Sequence, residues 1–202
     1  MTKRLSLYLP LLLATVLFSC AEKSEEPTPS GKLNGDYNFV SLSVDAVTTS
    51  ETIYPDETLK VVAEVVYTTK DNTGTYKFDG GKAIGSNLSY RVDTTLKTIL
   101  YTDGVAEDPV EIPFAATIPA YSAAAPYKII GEDSIHFEAG FISAPMNSGM
   151  PSSSAGGGAK FYISGNTLTL LTKFSASTST SQMGITTRST THGTMSVVMR
   201  KR

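Results

Sequence analysis

The chain is 202 residues long, 41% apolar and 18% charged, with a formal net charge of −2 and a single cysteine. That length suits one domain behind a targeting segment and is short for two. The near-neutral balance implies no basic face, which argues against nucleic acid as a partner, and a lone cysteine leaves no disulfide within the chain, so the body must be held by its core.

Lys3 and Arg4 precede a mostly apolar run from Leu7 to Phe18, small Ser19 stands next, and Cys20 is followed by Ala21-Glu22-Lys23-Ser24-Glu25-Glu26. This is the layout of a secretory signal. The run is shorter than the roughly 20 residues a membrane span needs and contains Pro10. Leu17-Phe18-Ser19-Cys20 resembles the lipobox of bacterial lipoproteins. The resemblance implies cleavage between Ser19 and Cys20, a diacylglycerol on the Cys20 thiol, and an acyl chain such as palmitate on the new amino group. Each buried CH₂ is worth about 0.8 kcal/mol, and two or more chains anchor where one barely holds. Membrane lipid, through acylated Cys20, is therefore the expected partner. The expected location is the bacterial outer membrane, on its periplasmic or cell-surface side.

Removing residues 1–19 leaves 183 residues with 15 basic against 19 acidic side chains, a charge of −4. Residues 20–34 carry Pro27, Pro29 and Gly31 without apolar periodicity and read as a lipidated cysteine on a flexible tether. Such a tether reaches roughly 20 Å relaxed and about 48 Å stretched. The acidic cluster from Lys23 to Glu26 also resembles the export signal of surface-exposed lipoproteins of Bacteroidota.

From residue 35 to 202 the apolar period is two, the period of strands. Asp36 to Val44 alternates Val40, Leu42 and Val44, and Leu59 to Tyr67 is long and β-branched. Asp71-Asn72-Thr73-Gly74 has the composition of a turn, followed by a strand from Thr75 to Asp79 and then Gly80-Gly81. Two further strands are predicted at Asn87–Val92 and Leu96–Tyr101, closed by Asp103-Gly104. Pro109, Pro113, Pro119 and Pro126 forbid a helix in residues 105–127, though Val110, Ile112 and Phe114 suit an edge strand. Hairpins are predicted around Gly131-Glu132-Asp133 and Gly165-Asn166, and Thr194 to Arg200 makes a closing strand. Residues 143–158 and 175–193 are small, polar and of low complexity, and read as long loops, disordered or acting as lids. About ten short strands separated by turns predict an all-β fold, an antiparallel up-and-down barrel or a β-sandwich.

Leu33-x-Gly35-x-Tyr37, Tyr76-Lys77-Phe78-Asp79-Gly80-Gly81 and the run from Phe161 to Leu170 resemble the lipocalin-like domains of Bacteroidota lipoproteins. That family opens on Gly-x-Trp, where this chain has Tyr37. The resemblance implies an up-and-down barrel with a closed end and a mouth, wide enough to pack side chains or hold one small apolar ligand.

No catalytic constellation stands out. There is no Gly-x-Ser-x-Gly, and the two histidines, His136 and His192, lie 56 positions apart without paired ligand spacing for zinc. Asp71 to Gly74 with Asp79 does not meet the spacing of a calcium loop. Glu107, Asp108, Glu132 and Asp133 could be nominated as paired acids but sit beside turn residues. Gly156-Gly157-Gly158-Ala159-Lys160 lacks the first glycine and the hydroxyl residue of a phosphate loop. Asp93-Thr94-Thr95 and Asp133-Ser134-Ile135 resemble the O-glycan acceptor of Bacteroidota. The sequence thus predicts no catalytic residue, no metal, no cofactor and no enzyme. It predicts a non-catalytic binder of a small apolar or amphipathic ligand, whose contact residues it does not name. The alternative is an accessory module binding glycan or another envelope protein, for which Tyr121 and Tyr127 are the only aromatic hints.

Overall fold

The computed structural model describes residues 32–139, 141 and 155–202; the signal run, Cys20 and most of the tether lie outside the described residues. Ten strands and no α-helix are found among them: β1 Gly35–Ile53, β2 Thr58–Thr68, β3 Lys70–Asp79, β4 Lys82–Thr102, β5 Val105–Ala106, β6 Val110–Ile130, β7 Ser134–Ala139, β8 Ala155–Ser164, β9 Thr167–Gln182 and β10 Ile185–Lys201.

Every pairing is antiparallel, and nearly every strand pairs with its neighbours in the chain. β2 and β3 lie end to end between β1 and β4 and act as one interrupted strand. Pairing of β1 with β10, from Tyr37↔Lys201 to Ile53↔Thr186, joins the first strand to the last and closes the sheet into a ring. The fold is an up-and-down, barrel-like ring. It is not a regular barrel, because β7 and β8 reach only part of the way along their neighbours.

This difference in strand length divides the molecule. In the closed half, β7 and β8 bridge β6 to β9. Beyond them β9, β10, β1, β2, β4 and β6 continue as an open half in which β6 and β9 have no partner on their outer sides among the described residues.

Alternation of large apolar side chains fills the closed half. Tyr37, Phe39, Tyr76, Phe78, Tyr90, Tyr127, Phe137 and Phe161 are all buried there. Their rings meet edge to face, with Tyr37 5.8 Å from Phe78, Phe39 5.9 Å from Tyr76 and Phe78 5.7 Å from Tyr127. Phe137 and Phe141 instead stack at 5.0 Å. These are the arrangements the ring quadrupole favours, and each buried ring adds about 1.5–3 kcal/mol of transfer free energy.

Several expectations change. Asp71-Asn72-Thr73-Gly74 does not reverse the chain. Thr69 Oγ1 accepts from the Leu42 amide at 2.9 Å and donates to Asn72 Oδ1 at 2.6 Å, and Asp71 takes φ +53°, so the turn residues make a kink between β2 and β3. The strands predicted at 87–92 and 96–101 are one strand, since Asp93 faces outward to Lys70 at 3.3 Å and its charge interrupts nothing.

Residues 110–130 form one strand despite Pro113, Pro119 and Pro126; it pairs with β4 on one side, and ahead of Tyr127 it has no partner on the other among the described residues, a position where proline is tolerated. Between Ile118 and Tyr121 β6 takes three positions against two of β4, and this bulge puts Pro113 and Pro126 on the same outer surface. Residues 175–193 are not a loop but the far part of the β9–β10 hairpin, and 155–158 belong to β8; 143–154 lie outside the described residues. Finally, the packed body begins ahead of residue 35. Leu33 is fully buried, its carbonyl accepts from the Tyr37 hydroxyl at 3.0 Å, and Asn34 Oδ1 accepts from the Gly80 amide.

Candidate functional site

The inner face of the open half continues the lining of the ring. Above the level of Ala46, Val65 and Leu96, successive rows across the sheet can be read from the register. The first is Ala176, Thr191, Thr48, Ala63, Thr98 and Val110; the second is Thr178, Ser189, Ser50, Val61 and Leu100; the third is Thr180, Thr187, Thr52, Leu59 and Thr102. None is ionisable. The wall is hydroxyl-rich on β9, β10 and β1 and aliphatic on β2 and β4. Cross-strand hydroxyl pairs hold its polar side, Thr48 with Thr191 at 3.0 Å and Thr52 with Thr187 at 3.3 Å.

Charges on these same strands go to the opposite face. Glu51, Lys60, Glu64, Lys97, Glu111, Arg188 and His192 alternate with the wall residues and so point outward. Lys60 lies 5.0 Å from the centre of the Tyr101 ring on that outer face. At the far end of the wall, beside the tip of the β9–β10 hairpin, Thr180, Gln182, Met183 and Ile185 line an open hollow of about 480 Å³.

Beneath the wall lies a group of phenols. Tyr67 stands at the top of the closed half, and burial pushes its pKa up to about 12. Tyr76 and Tyr90 lie deeper, and burial raises both well above the ordinary phenol value, with neighbouring Tyr121 adding to each. Tyr90 is 1% exposed and its hydroxyl has no hydrogen-bond partner among the described residues. Tyr121 comes near enough to act on its acidity without reaching hydrogen-bonding geometry. The Tyr127 hydroxyl, nearer the closed end, is likewise buried and unpaired.

The acids nominated from sequence are not brought together. Glu107 and Asp108 precede β6 and Glu132 and Asp133 follow it, so the length of that strand, about 70 Å by strand rise, separates the two pairs. Asp133 binds Lys160 at 2.9 Å and the Ser134 hydroxyl at 2.9 Å, which hold its carboxyl below the usual range. His136 sits on the outer face of β7 opposite Lys128 and Gly158, and His192 is exposed on β10 opposite Ser175 and Val47. Gly156 to Gly158 run in strand β8 rather than in a phosphate-binding loop. Thr94 is half-buried and donates to the Val66 carbonyl at 2.7 Å, while Ser134 is tied to Asp133. Of the two aromatic hints, Tyr127 is buried and Tyr121 half-buried, so neither offers an exposed ring to a sugar. Cys20 and Ser19 lie outside the described residues.

The polar side of the wall, on β9, β10 and β1, escaped sequence reading because its residues are Ser, Thr and Ala. The sequence carries little signal for it, since Val47 to Ile53 holds one charge, Glu51, and Ile185 to Thr194 one, Arg188, and only the register shows that both lie on the side away from the wall. The chain matches no protein-family model, no curated protein and no solved structure.

Proposed function

We propose that the protein is a lipid-anchored, non-catalytic envelope protein that holds a small, uncharged, apolar or amphipathic molecule against the inner wall of the open half. One observation carries this reading: across six strands the wall has no ionisable side chain, while the reverse face of the same strands carries charge of both signs. Solvent alone gives no reason for that asymmetry, since a face bathed only in water tolerates charge at every position. The closed half is filled by aromatic rings, so the ligand belongs above it rather than deep in the ring. Aliphatic Leu59, Val61 and Leu100 would take an apolar portion, and the hydroxyls of Ser50, Thr52 and Thr187 a polar one. Anchoring rests on the Leu17-to-Cys20 pattern.

The test is native mass spectrometry and organic extraction of the full chain isolated from its membrane, alongside titration with the uncharged dye Nile red. A retained neutral molecule and saturable dye binding are expected. Val61→Glu in the wall should weaken dye binding at least tenfold, whereas Thr49→Glu on the outer face should leave it unchanged. No extracted molecule together with equal dye binding by both variants refutes the proposal.

A further inference from the structure

The open half ends in two edges that have no partner among the described residues, and the two are built differently. The edge of β6 is interrupted by Pro113, Pro119 and Pro126, which have no amide hydrogen to offer, so no continuous ladder can form along it. Proline on an edge is a standard defence against unwanted strand pairing. The edge of β9 has no such defence. β8 pairs with β9 only from Ser164↔Thr167 to Lys160↔Leu171. Beyond that, Phe174 to Gln182 (FSASTSTSQ) contains neither a proline nor a charge, and from Ser175 onward its side chains are exposed. Its other side is fully occupied by β10, from Ile185↔Gln182 to Arg200↔Thr167, so the strand is held straight and in register along its whole length.

We propose that this edge of β9, from Phe174 to Gln182, is a self-association surface at which two copies of the chain join their sheets by antiparallel pairing of β9 with β9.

A second copy is the occupant the residues favour. Antiparallel pairing of a strand with its own copy is two-fold symmetric, so one patch serves both partners and the assembly closes as a dimer. Centred on Thr178, it places Phe174 opposite Gln182 and Ala176 opposite Thr180. No like charges meet, which is the arrangement that penalises most self-pairing edges. Nine residues per strand supply about eight ladder hydrogen bonds. The side chains brought together are of the kind this sheet already pairs across strands, as in Ser177 with Thr190 at 3.3 Å and Ser181 with Thr186 at 2.8 Å. The register also matches even residues with even residues. An axis normal to the sheet then leaves both inner faces on the same side, and the two uncharged walls merge into one twelve-stranded surface.

The experiment is sedimentation equilibrium of the full chain in detergent, with circular dichroism melts to establish folding of each variant. The unmodified chain is expected to dimerise. Ala176→Lys with Thr180→Lys places ammonium groups opposite each other across the axis and should weaken the dimer at least tenfold. Ala176→Lys with Thr180→Glu places each lysine opposite a glutamate of the other copy and should restore it. A chain that stays monomeric at all concentrations overturns the proposal. So does a dimer indifferent to the two lysines, and so does a lysine–glutamate variant no tighter than the double lysine.

Discussion

Two buried tyrosines make opposite predictions for the same substitution. Tyr37 and Tyr90 are both nearly inaccessible, and both rings pack edge to face, Tyr37 at 5.8 Å from Phe78 and Tyr90 at 6.1 Å from Phe39. The Tyr37 hydroxyl donates to the Leu33 carbonyl at 3.0 Å, whereas the Tyr90 hydroxyl has no partner among the described residues. Replacing either by phenylalanine keeps the ring and removes one oxygen. At position 37 the loss is a made hydrogen bond and leaves the buried carbonyl of Leu33 unsatisfied, a cost of about 1–2 kcal/mol. At position 90 the substitution removes a group already paying for desolvation. Relief of about 1–3 kcal/mol, less the dispersion lost with one atom, gives a net gain of about 1 kcal/mol. In a domain of this size each kcal/mol moves Tm by about 2–4 °C. Tyr37→Phe should therefore melt a few degrees below the parent and Tyr90→Phe a few degrees above it. Thermal and urea unfolding of the ligand-free chain, followed by far-ultraviolet circular dichroism, gives both numbers. Equal destabilisation by the two substitutions would falsify the account of Tyr90.

Glycine substitutions test the kink between β2 and β3. A Cβ at Gly74, where φ is +100°, would lie 2.5 Å from the Asn87 carbonyl oxygen and 2.7 Å from that of Ser86, so Gly74→Ala should cost about 3 kcal/mol or more by urea unfolding; Gly104→Ala, at φ +82° with nothing within 4 Å, should cost only about 1 kcal/mol. Alkali supplies a second test. Tyr37, Tyr67, Tyr76, Tyr90, Tyr121 and Tyr127 all have raised pKa values in the folded chain. Above about pH 10 the unfolded chain loses these protons while the folded chain keeps them, so the folded state binds more protons and stability falls as pH rises. Stability set by these groups should be flat below pH 10 and decline above it, with their phenolate absorbance appearing together with unfolding; titration of these six phenols near pH 10 in a still-folded chain would contradict this.

Where apolar alternation was strong, sequence and structure agree. Leu59 to Tyr67, the hairpin at Gly165-Asn166 and the closing strand from Thr194 all form as their period-two patterns predict. The fold class and the up-and-down order follow from those segments. The rest was hidden for two physical reasons. A run such as Ser175-Ala176-Ser177-Thr178-Ser179-Thr180 has no hydrophobic period, and its backbone is held by the neighbouring strand β10 rather than by burial of its side chains. Conversely, Asp71 to Gly74 and the prolines of β6 carry the chemistry of breaks, yet a sheet can use a positive φ to kink a strand and can give an amide-free residue to an unpaired edge. The candidate site was the least legible part. Its signature is the side on which charge is missing, and that depends on the register between six strands.

Closure of the ring through β1 and β10 places the start of β1 beside Arg202. The Arg202 amide donates to the Asp36 carbonyl at 3.0 Å, and Tyr37 lies opposite Lys201. The segment that precedes Leu33 therefore joins the body at the same end as Arg202. From there β1 alone runs about 60 Å to Ile53 by strand rise, and the Met183-Gly184 bend lies at that distant end. A reporter appended after Arg202 sits at the foot of the molecule, beside any attachment made through the leading segment, while one inserted at the bend rides at its summit. The pair gives a ruler for how far the uncharged surface stands from whatever holds the chain.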